Sequence, residues 1–170
     1  MSERFYGKYR GTVINNVDPM AIGRIQAMVP AVSSLLPTSW ALPCVPIAGK
    51  LQGSVFVPQL GARVWIEFEG GDPDHPIWTG CFWGLAAEVP ADYLLGSTPV
   101  SPNIVLQSAL MNRIVVTDLP GPLGGIVLRS TTGASIMVND TGIYINNGKG
   151  ASITLIGPTV TVNNGALTVI

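Results

Sequence analysis

The sequence predicts an all-β protein in which a small antiparallel barrel is followed by a shaft of short strands. Three observations lead to this fold class. Residues 63–69 alternate apolar and polar side chains over a full strand length. Residues 125–170 repeat alternating apolar pairs with an offset of 17 residues. The chain has 170 residues, 20 Gly and 14 Pro but only 11% charged residues, where about a quarter is usual, so we expect many turns and much buried surface.

The first 88 residues predict five or six short strands. In chain order they are Phe5–Ile14, Ile22–Val29, the edge strand or extended loop Trp40–Ile47, Ser54–Val57, Arg63–Glu69 and Ile77–Trp83. Alternation in the fifth strand places Val64, Ile66 and Phe68 on one face, which we expect to be buried. The turn 70–76 joins the last two strands in an antiparallel hairpin. Strands of this number and length fit a small barrel of the OB type over residues 1–88.

Residues 85–103 are rich in Ala, Pro and Ser, and a linker is predicted over residues 89–103. The shaft is predicted over residues 104–170. Its first strands are Ile104–Leu106 and Arg113–Thr117, and the segment Leu119–Gly125 interrupts the pattern before the repeat begins.

In the repeat, the sequence GASI at 133–136 returns at 150–153, and IYINNG at 143–148 returns as VTVNNG at 160–165. Each strand offers one apolar face that a single row of short strands cannot cover, so neighbours are needed. They could be further coils of a solenoid or the same segment of other chains. Few coils are available, and residues 168–170 are apolar, which favours an intertwined three-chain β-helix. The residues predicted to face its axis are Ile126, Leu128, Ile136, Val138, Ile143, Ile145, Ile153, Leu155, Val160 and Val162.

Charge and targeting features narrow the function classes. The net charge of −1 implies no general attraction to nucleic acid or anionic membranes. The N-terminus lacks the apolar stretch of a signal peptide, so we expect synthesis in the cytoplasm. Cys44 and Cys81 lack metal-ligand spacing; two buried reduced thiols are favoured over a disulfide.

An acidic cluster of Glu67, Glu69, Asp72 and Asp74 has three interpretations. The carboxylates could act as a hydrolytic pair or bind a cation. The favoured interpretation is an outward strand face followed by Asx turn chemistry. A negative hairpin also disfavours nucleic acid, because barrels that bind single strands present a basic groove.

Other candidate residues favour structural roles. Trp40, Trp65, Trp78 and Trp83 lack basic partners nearby in sequence, so we expect core or subunit-contact aromatics. His75 is expected to be solvated or bonded within its turn. No nucleophile elbow occurs. The sequence therefore predicts no enzyme activity and no catalytic, cofactor or metal site.

Residues 57–80, VPQLGARVWIEFEGGDPDHPIWTG, followed by the aromatic-glycine segment 82–84, resemble a known signature. It is that of the OB domain of phage baseplate assembly protein V, which also occurs in VgrG-type spikes. The resemblance covers roughly residues 5–88. It implies an OB domain that precedes a trimeric β-helical needle, in the central spike of a phage tail, a type VI secretion system or an extracellular injection particle.

The resemblance implies a structural homotrimer that attaches to a baseplate hub protein at the barrel end and breaches the target envelope mechanically. The linker is too short for the lysozyme domain that some spikes carry. Four residues precede Phe5, so we expect the hub to be a separate protein. His75 is the single histidine, so the His-x-His iron site of some spike tips is not expected.

The apolar C-terminal strand is expected to form a binding surface. By resemblance, a PAAR-type tip protein would dock on Leu167, Val169 and Ile170. Two other classes remain as alternatives: a nucleic-acid-binding OB protein with a β-rich oligomerisation tail, and a cell-wall hydrolase.

Overall fold

A computed structural model describes residues 3–170. The chain divides after Ala86 into two compact units. Strands and short 3-10 turns are the regular elements of the described residues, which contain no α-helix. The all-β prediction is therefore confirmed.

The first unit contains seven strands. They are β1 (Tyr9–Asn15), β2 (Gln26–Met28), β3 (Leu42–Pro43), β4 (Ala48–Gly49), β5 (Gln52–Gly53), β6 (Arg63–Phe68) and β7 (Pro76–Cys81). Five of them form one sheet in the order β2-β1-β6-β7-β3. β3 runs parallel to β7, and the other pairs are antiparallel. An antiparallel bridge between Ile25 and Ala41 joins the two ends of the sheet, so the sheet closes into a small barrel.

The barrel interior holds the hydrophobic core. Val64 and Ile66 are fully buried and Phe68 is 7% exposed, as the alternation predicts. The remaining buried members are Val13, Ile25, Ala27, Val29, Ala41 and Trp78. Closure lets one chain cover the apolar faces of all five strands.

Several predicted strands have different limits. Phe5 precedes β1, because its amide bonds the Gly71 carbonyl (2.9 Å) in the turn after β6. Pro43 and Pro46 lack amide donors, and the strand predicted over Trp40–Ile47 shrinks to β3. The prediction of a strand at Ser54–Val57 is wrong. After the short hairpin β4–β5, Ser54 bonds back to Ile47 (3.3 Å), and the chain then runs without a strand partner.

The second unit contains eight strands in one antiparallel sheet whose spatial order follows the chain. They are β8 (Ile104–Gln107), β9 (Arg113–Thr117), β10 (Gly125–Arg129), β11 (Ser135–Asn139), β12 (Gly142–Asn146), β13 (Ser152–Ile156), β14 (Thr159–Val162) and β15 (Leu167–Val169). One 17-residue repeat corresponds to one hairpin. Gly125 and Gly142 occupy equivalent positions, where an added Cβ would lie 2.0 Å and 2.2 Å from a neighbouring carbonyl oxygen, so only glycine fits.

The segment 89–103, predicted as a linker, lies within the second unit. Asn103 is 7% exposed, and its Nδ2 donates to the carbonyls of Asp92 (2.9 Å) and Leu95 (2.7 Å). Asp92 in turn pairs with Arg113 of β9 at 2.6 Å. These bonds attach the segment to the first strands of the sheet.

Candidate oligomerisation surface

One face of the eight-stranded sheet carries two parallel ladders of apolar side chains. The strand registers place each residue of a ladder directly opposite the next. The first ladder is Ile104, Val116, Ile126, Val138, Ile143, Leu155, Val160 and Val169. The second is Leu106, Ile114, Leu128, Ile136, Ile145, Ile153, Val162 and Leu167. We call this surface the double ladder.

The double ladder is open to solvent in the single chain. Twelve of its sixteen side chains are between 38% and 63% exposed, and the other four are partly exposed. Such a continuous apolar surface is unusual on a monomer and marks an interaction site.

All ten residues predicted to face a shaft axis lie on the double ladder. Sequence reasoning missed the four ladder members of β8 and β9, Ile104, Leu106, Ile114 and Val116, although it predicted both strands. The signal was available, because Ile104–Leu106 and Ile114–Val116 show the same one-residue spacing of apolar side chains as the repeat.

The three residues predicted to dock a tip protein lie at the last strand. Val169 pairs with Val160, and Leu167 pairs with Val162, so both continue the double ladder. Ile170 follows β15 and is 94% exposed. Within the described residues β15 is an edge strand, hydrogen-bonded to β14 alone.

On the opposite face of the sheet, the side chains change from apolar to polar between β8 and β15. Its central column is Val105, Val115, Val127, Met137, Tyr144, Thr154, Thr161 and Thr168. Val115, near the attached segment 89–103, is 7% exposed. Beyond Tyr144 the column consists of threonines, whose hydroxyl groups tolerate water while their branched carbons favour strands. The half of this face beyond Tyr144 is therefore polar, in contrast to the double ladder.

Side chains of Asn hold the turns between strands. Asn139 Oδ1 accepts bonds from the amides of Thr141 (2.9 Å) and Gly142 (3.2 Å). Asn147 Oδ1 accepts from Lys149 (2.8 Å) and Ala151 (3.0 Å). Bonds of this kind fix short turns and therefore the strand register.

The acidic cluster of the barrel is built into local structure. Asp72 Oδ1 accepts the amide of Asp74 (3.1 Å), which is the predicted Asx turn, and Asp72 Oδ2 lies 3.5 Å from Arg4 and 3.9 Å from His75. Glu67 pairs with Lys8 at 2.8 Å on the outer strand face. No group of three or more potential metal ligands lies together in residues 3–170.

The four tryptophans have different surroundings. Trp78 is in the core and donates its Nε1 proton to the Gly23 carbonyl (3.1 Å). Trp65 packs on Phe82 with 4.7 Å between ring centroids, and Trp40 lies under the Arg24 guanidinium at 5.4 Å. Trp83 is 63% exposed. Trp78 is therefore a core residue as predicted, and a subunit-contact role for the other three stays a prediction.

Asp18 organises the loop between β1 and β2. Its carboxylate accepts bonds from the backbone amides of Met20, Ile22 and Arg24, and its Oδ1 also accepts from both Nε and Nη2 of the Arg24 side chain. The Arg24 guanidinium, assisted by these amides, holds the pKa of Asp18 far below its usual value despite the burial that opposes it. The loop is therefore fixed by a single carboxylate.

Cys44 and Cys81 are free thiols, and both are exposed on the single chain. The predicted burial of these thiols is therefore wrong for one chain, because both lie near the ends of barrel strands instead of inside the core. In the described part of the chain, no helix combines the length and hydrophobicity needed to cross a membrane.

Two family profiles match the two units separately. The Type VI secretion system/phage-baseplate injector OB domain matches residues 9–83. The phage baseplate V C-terminal trimerisation domain matches residues 103–168. The first match covers the closed barrel, and the second covers the double ladder almost completely.

Curated relatives from Pseudomonas aeruginosa strain PAO1 are similar over shorter stretches. The type VI secretion system spike protein VgrG1a is 31% identical over 87 residues, which is 51% of this chain and 12% of the relative. The spike protein VgrG5 is 43% identical over 42 residues, or 25% of this chain and 5% of the relative. This chain therefore spans about an eighth or less of the length of the relatives it matches.

A closed OB barrel followed by a trimerisation domain defines the class of structural baseplate and spike components. The chain belongs to the phage baseplate V/VgrG-type spike family. The two matches assign the chain an injector-type OB domain and a C-terminal trimerisation domain.

Proposed function

We propose that three copies of this chain form the central spike of a contractile phage-like tail or injection system. In this assembly the three eight-stranded sheets build a three-chain β-helix with their double ladders on the common axis. The observation that carries the proposal is the double ladder itself. Its sixteen apolar side chains occupy a single face, and most of them have no cover within one chain.

Burial of this face provides the driving force. Complete burial of a fully exposed large aliphatic side chain contributes about 1.5–3 kcal/mol. The ladder side chains would gain the part of this energy that corresponds to their remaining exposure, which is 38–63% for twelve of the sixteen. Two sheets could cover each other, but the profile matched over residues 103–168 is that of a trimerisation domain, which favours three. Three sheets arranged as a triangular prism cover all three apolar faces and bring each row of turns against a neighbouring sheet.

The shaft geometry suits a mechanical role. Eight strands at a spacing of ~4.8 Å span roughly 34 Å, and the sheet face outside the axis ends in polar threonines. A dry, interdigitated interior resists bending because it cannot rearrange without exposing apolar surface. We infer that the shaft supplies stiffness when the particle breaches a target envelope, while the barrels attach to the baseplate hub.

The last layer of the shaft is the proposed docking site for a tip protein. β15 leaves one backbone edge unpaired within the described residues, and Ile170 lies beyond the ladder. A PAAR-type protein would cap this layer through Leu167, Val169 and Ile170 of three copies. Deleting residues 165–170 should leave the trimer intact and abolish capture of the tip protein in a pull-down; retained capture would reject this site.

Light scattering on the purified chain tests the central proposal. A homotrimer has a mass of about 53 kDa, three times the chain mass of 17.8 kDa. We expect this mass at micromolar concentration. A mass of one chain under those conditions would contradict the three-chain shaft.

A further inference from the structure

Residues 47–57 of the barrel form an arm that exposes apolar side chains to solvent. The arm consists of the hairpin β4–β5 and the extended segment that follows it. Leu51 at the hairpin tip is fully exposed, Val55 is 80% exposed and Phe56 is 68% exposed. Lys50 is the single charged residue of the arm. Its surface therefore has the composition of a permanent protein interface.

The hairpin of the arm has no strand partner in its own barrel within the described residues. β4 and β5 pair with each other through Ala48–Gly53 and Gly49–Gln52 and, in residues 3–170, with no other strand. Isolated two-stranded hairpins are marginally stable in water. Leu51 also has a positive φ of 59°, which is unfavourable for a non-glycine residue. An external contact at the tip would stabilise this conformation.

A groove lies between the base of the arm and the barrel, and Leu51 at the tip is not part of its lining. Its walls include Ile22 from the loop after β1, together with Pro43 and Val45 beside β3. Trp78 lies among the barrel residues of the lining, and the arm supplies the other wall through Ile47, Val55, Phe56 and Val57. Each barrel thus carries both an apolar projection and an apolar recess.

We propose that the arm tip of each barrel inserts into the groove of a neighbouring copy, so that the three barrels form a closed ring. The inference rests on the proposed trimer. A projecting tip and a recess that does not include it give a heterologous contact, and such contacts close into a ring when repeated by a three-fold axis. The contact is therefore compatible with the symmetry that the C-terminal trimerisation domain imposes.

A second copy is the occupant that fits the surface best. The trimerisation domain tethers the barrels, which gives each groove a high effective concentration of neighbouring arms. The nearly uncharged surface also needs cover from the time of assembly, because an exposed patch of this kind promotes aggregation. A tethered copy is present throughout, whereas a separately made protein arrives later.

Site-specific photo-crosslinking on the purified chain tests this contact. A benzophenone amino acid replaces Leu51 in one sample and Leu35, which is 85% exposed elsewhere on the same unit, in the control. We expect Leu51 to give bands of two and three linked chains on a denaturing gel and Leu35 to give none. A sample with trimeric mass whose Leu51 probe links no second copy, or links only an added baseplate hub protein, would overturn the proposed ring. A monomeric mass would instead overturn the trimer on which the ring depends.

A pair of variants in one loop sharpens the test. Ile22→Asp places a carboxylate in the groove. Met20→Asp places a carboxylate outside the groove, at a position that is 63% exposed. Both residues donate backbone amides to Asp18, so the loop is affected equally. We expect Ile22→Asp to lower the yield of the Leu51 crosslink at least about tenfold, because a buried unpaired charge is strongly unfavourable, with Met20→Asp unchanged. Equal yields in the two variants would reject the groove as the receiving surface.

Discussion

Alternating apolar residues are buried within one chain in the barrel but are exposed on the eight-stranded sheet. In β6 the alternating residues Val64 and Ile66 are fully buried. In β12 the equally spaced Ile143 and Ile145 are 38% and 40% exposed. The barrel closes through the bridge from Ile25 to Ala41, whereas the sheet stays open from β8 to β15. Alternation therefore predicts that a face will be buried without saying which chain covers it.

The two regions also differ in how many hydrophobic residues one chain buries. Nine hydrophobic residues form a core inside the barrel, while Val115 is the one such residue with less than a tenth of its surface exposed in the described part of the second unit. The barrel therefore has a core within one chain, whereas the sheet would gain its core by association in the proposed trimer. Mutations in the two regions should consequently change different measured quantities.

The largest effect is expected from a charge on the double ladder. Ile145→Asp would place three carboxylates close together in a dry shaft, where each unpaired charge costs several kcal/mol. We expect loss of the trimer in light scattering. The barrel should keep its thermal unfolding transition, because its core lies in the other unit.

Thr154→Asp is the matched control for this variant. Thr154 lies on the strand next to Ile145 but in the central column of the opposite face. We expect a trimer of unchanged mass. Dissociation by Thr154→Asp and tolerance of Ile145→Asp would mean that the two faces of the sheet are assigned the wrong way round.

A truncation in the barrel core should destabilise the barrel and leave the trimer intact. Ile66→Ala removes a fully buried side chain and should destabilise the barrel by about 2–5 kcal/mol, measured by denaturant unfolding of the trimer. The mass should stay that of three chains. Thr12→Ala, in the neighbouring strand β1, is the exposed control and should change stability by less than about 0.5 kcal/mol. A variant that loses its trimer together with its barrel would show that the two regions are coupled.

The parts of the fold that the sequence predicts well are those with strong local patterns. Ile104–Gln107, Arg113–Thr117 and the hairpin strands of the repeat have a regular apolar spacing bounded by Asn, Asp or Gly. The turn chemistry fixes where each strand ends, so register and sidedness follow from a one-dimensional pattern. The ten predicted axis residues share one face for this reason.

Long-range contacts explain what the sequence does not reveal. The arm hairpin β4–β5 has no alternating pattern, since Ala48, Gly49 and Gly53 contribute almost no side chains. Asp18 looks like an ordinary turn residue until Arg24 folds back on it. Attachment of the segment 89–103 depends on bonds from Asn103 and Arg113 to residues that only the folded chain brings near.

A smaller effect is expected from Asp18, which organises a loop instead of a core. Asp18→Asn should lower the melting temperature of the barrel, because the amide cannot replace an ion pair with Arg24. The folded-state pKa of Asp18 lies below its unfolded value, which is about 3.9. The stabilisation is therefore present above about pH 4 and is lost as the pH falls through the folded-state pKa.

Melting curves of the wild type and of Asp18→Asn between neutral and acidic pH measure this contribution. The difference between the two proteins should be constant at neutral pH and should shrink below about pH 4, where the unfolded carboxyl group becomes protonated. A difference that grew on acidification would contradict the sign of the pKa shift.

The smallest effect is expected at the barrel exterior. Lys8 bridges Glu67 (2.8 Å) and the hydroxyl of Thr79 (3.0 Å) across β6 and β7, but the side chains of Lys8 and Glu67 are 52% and 38% exposed. An ion pair this open to water contributes at most about 1 kcal/mol and is screened by salt. Lys8→Met should therefore lower the denaturation midpoint slightly in dilute buffer and leave it unchanged at high salt, with Lys8→Arg retaining the wild-type value. A loss in Lys8→Met that persisted at high salt would show that the Lys8 stem packs against the barrel, because apolar contacts are not screened.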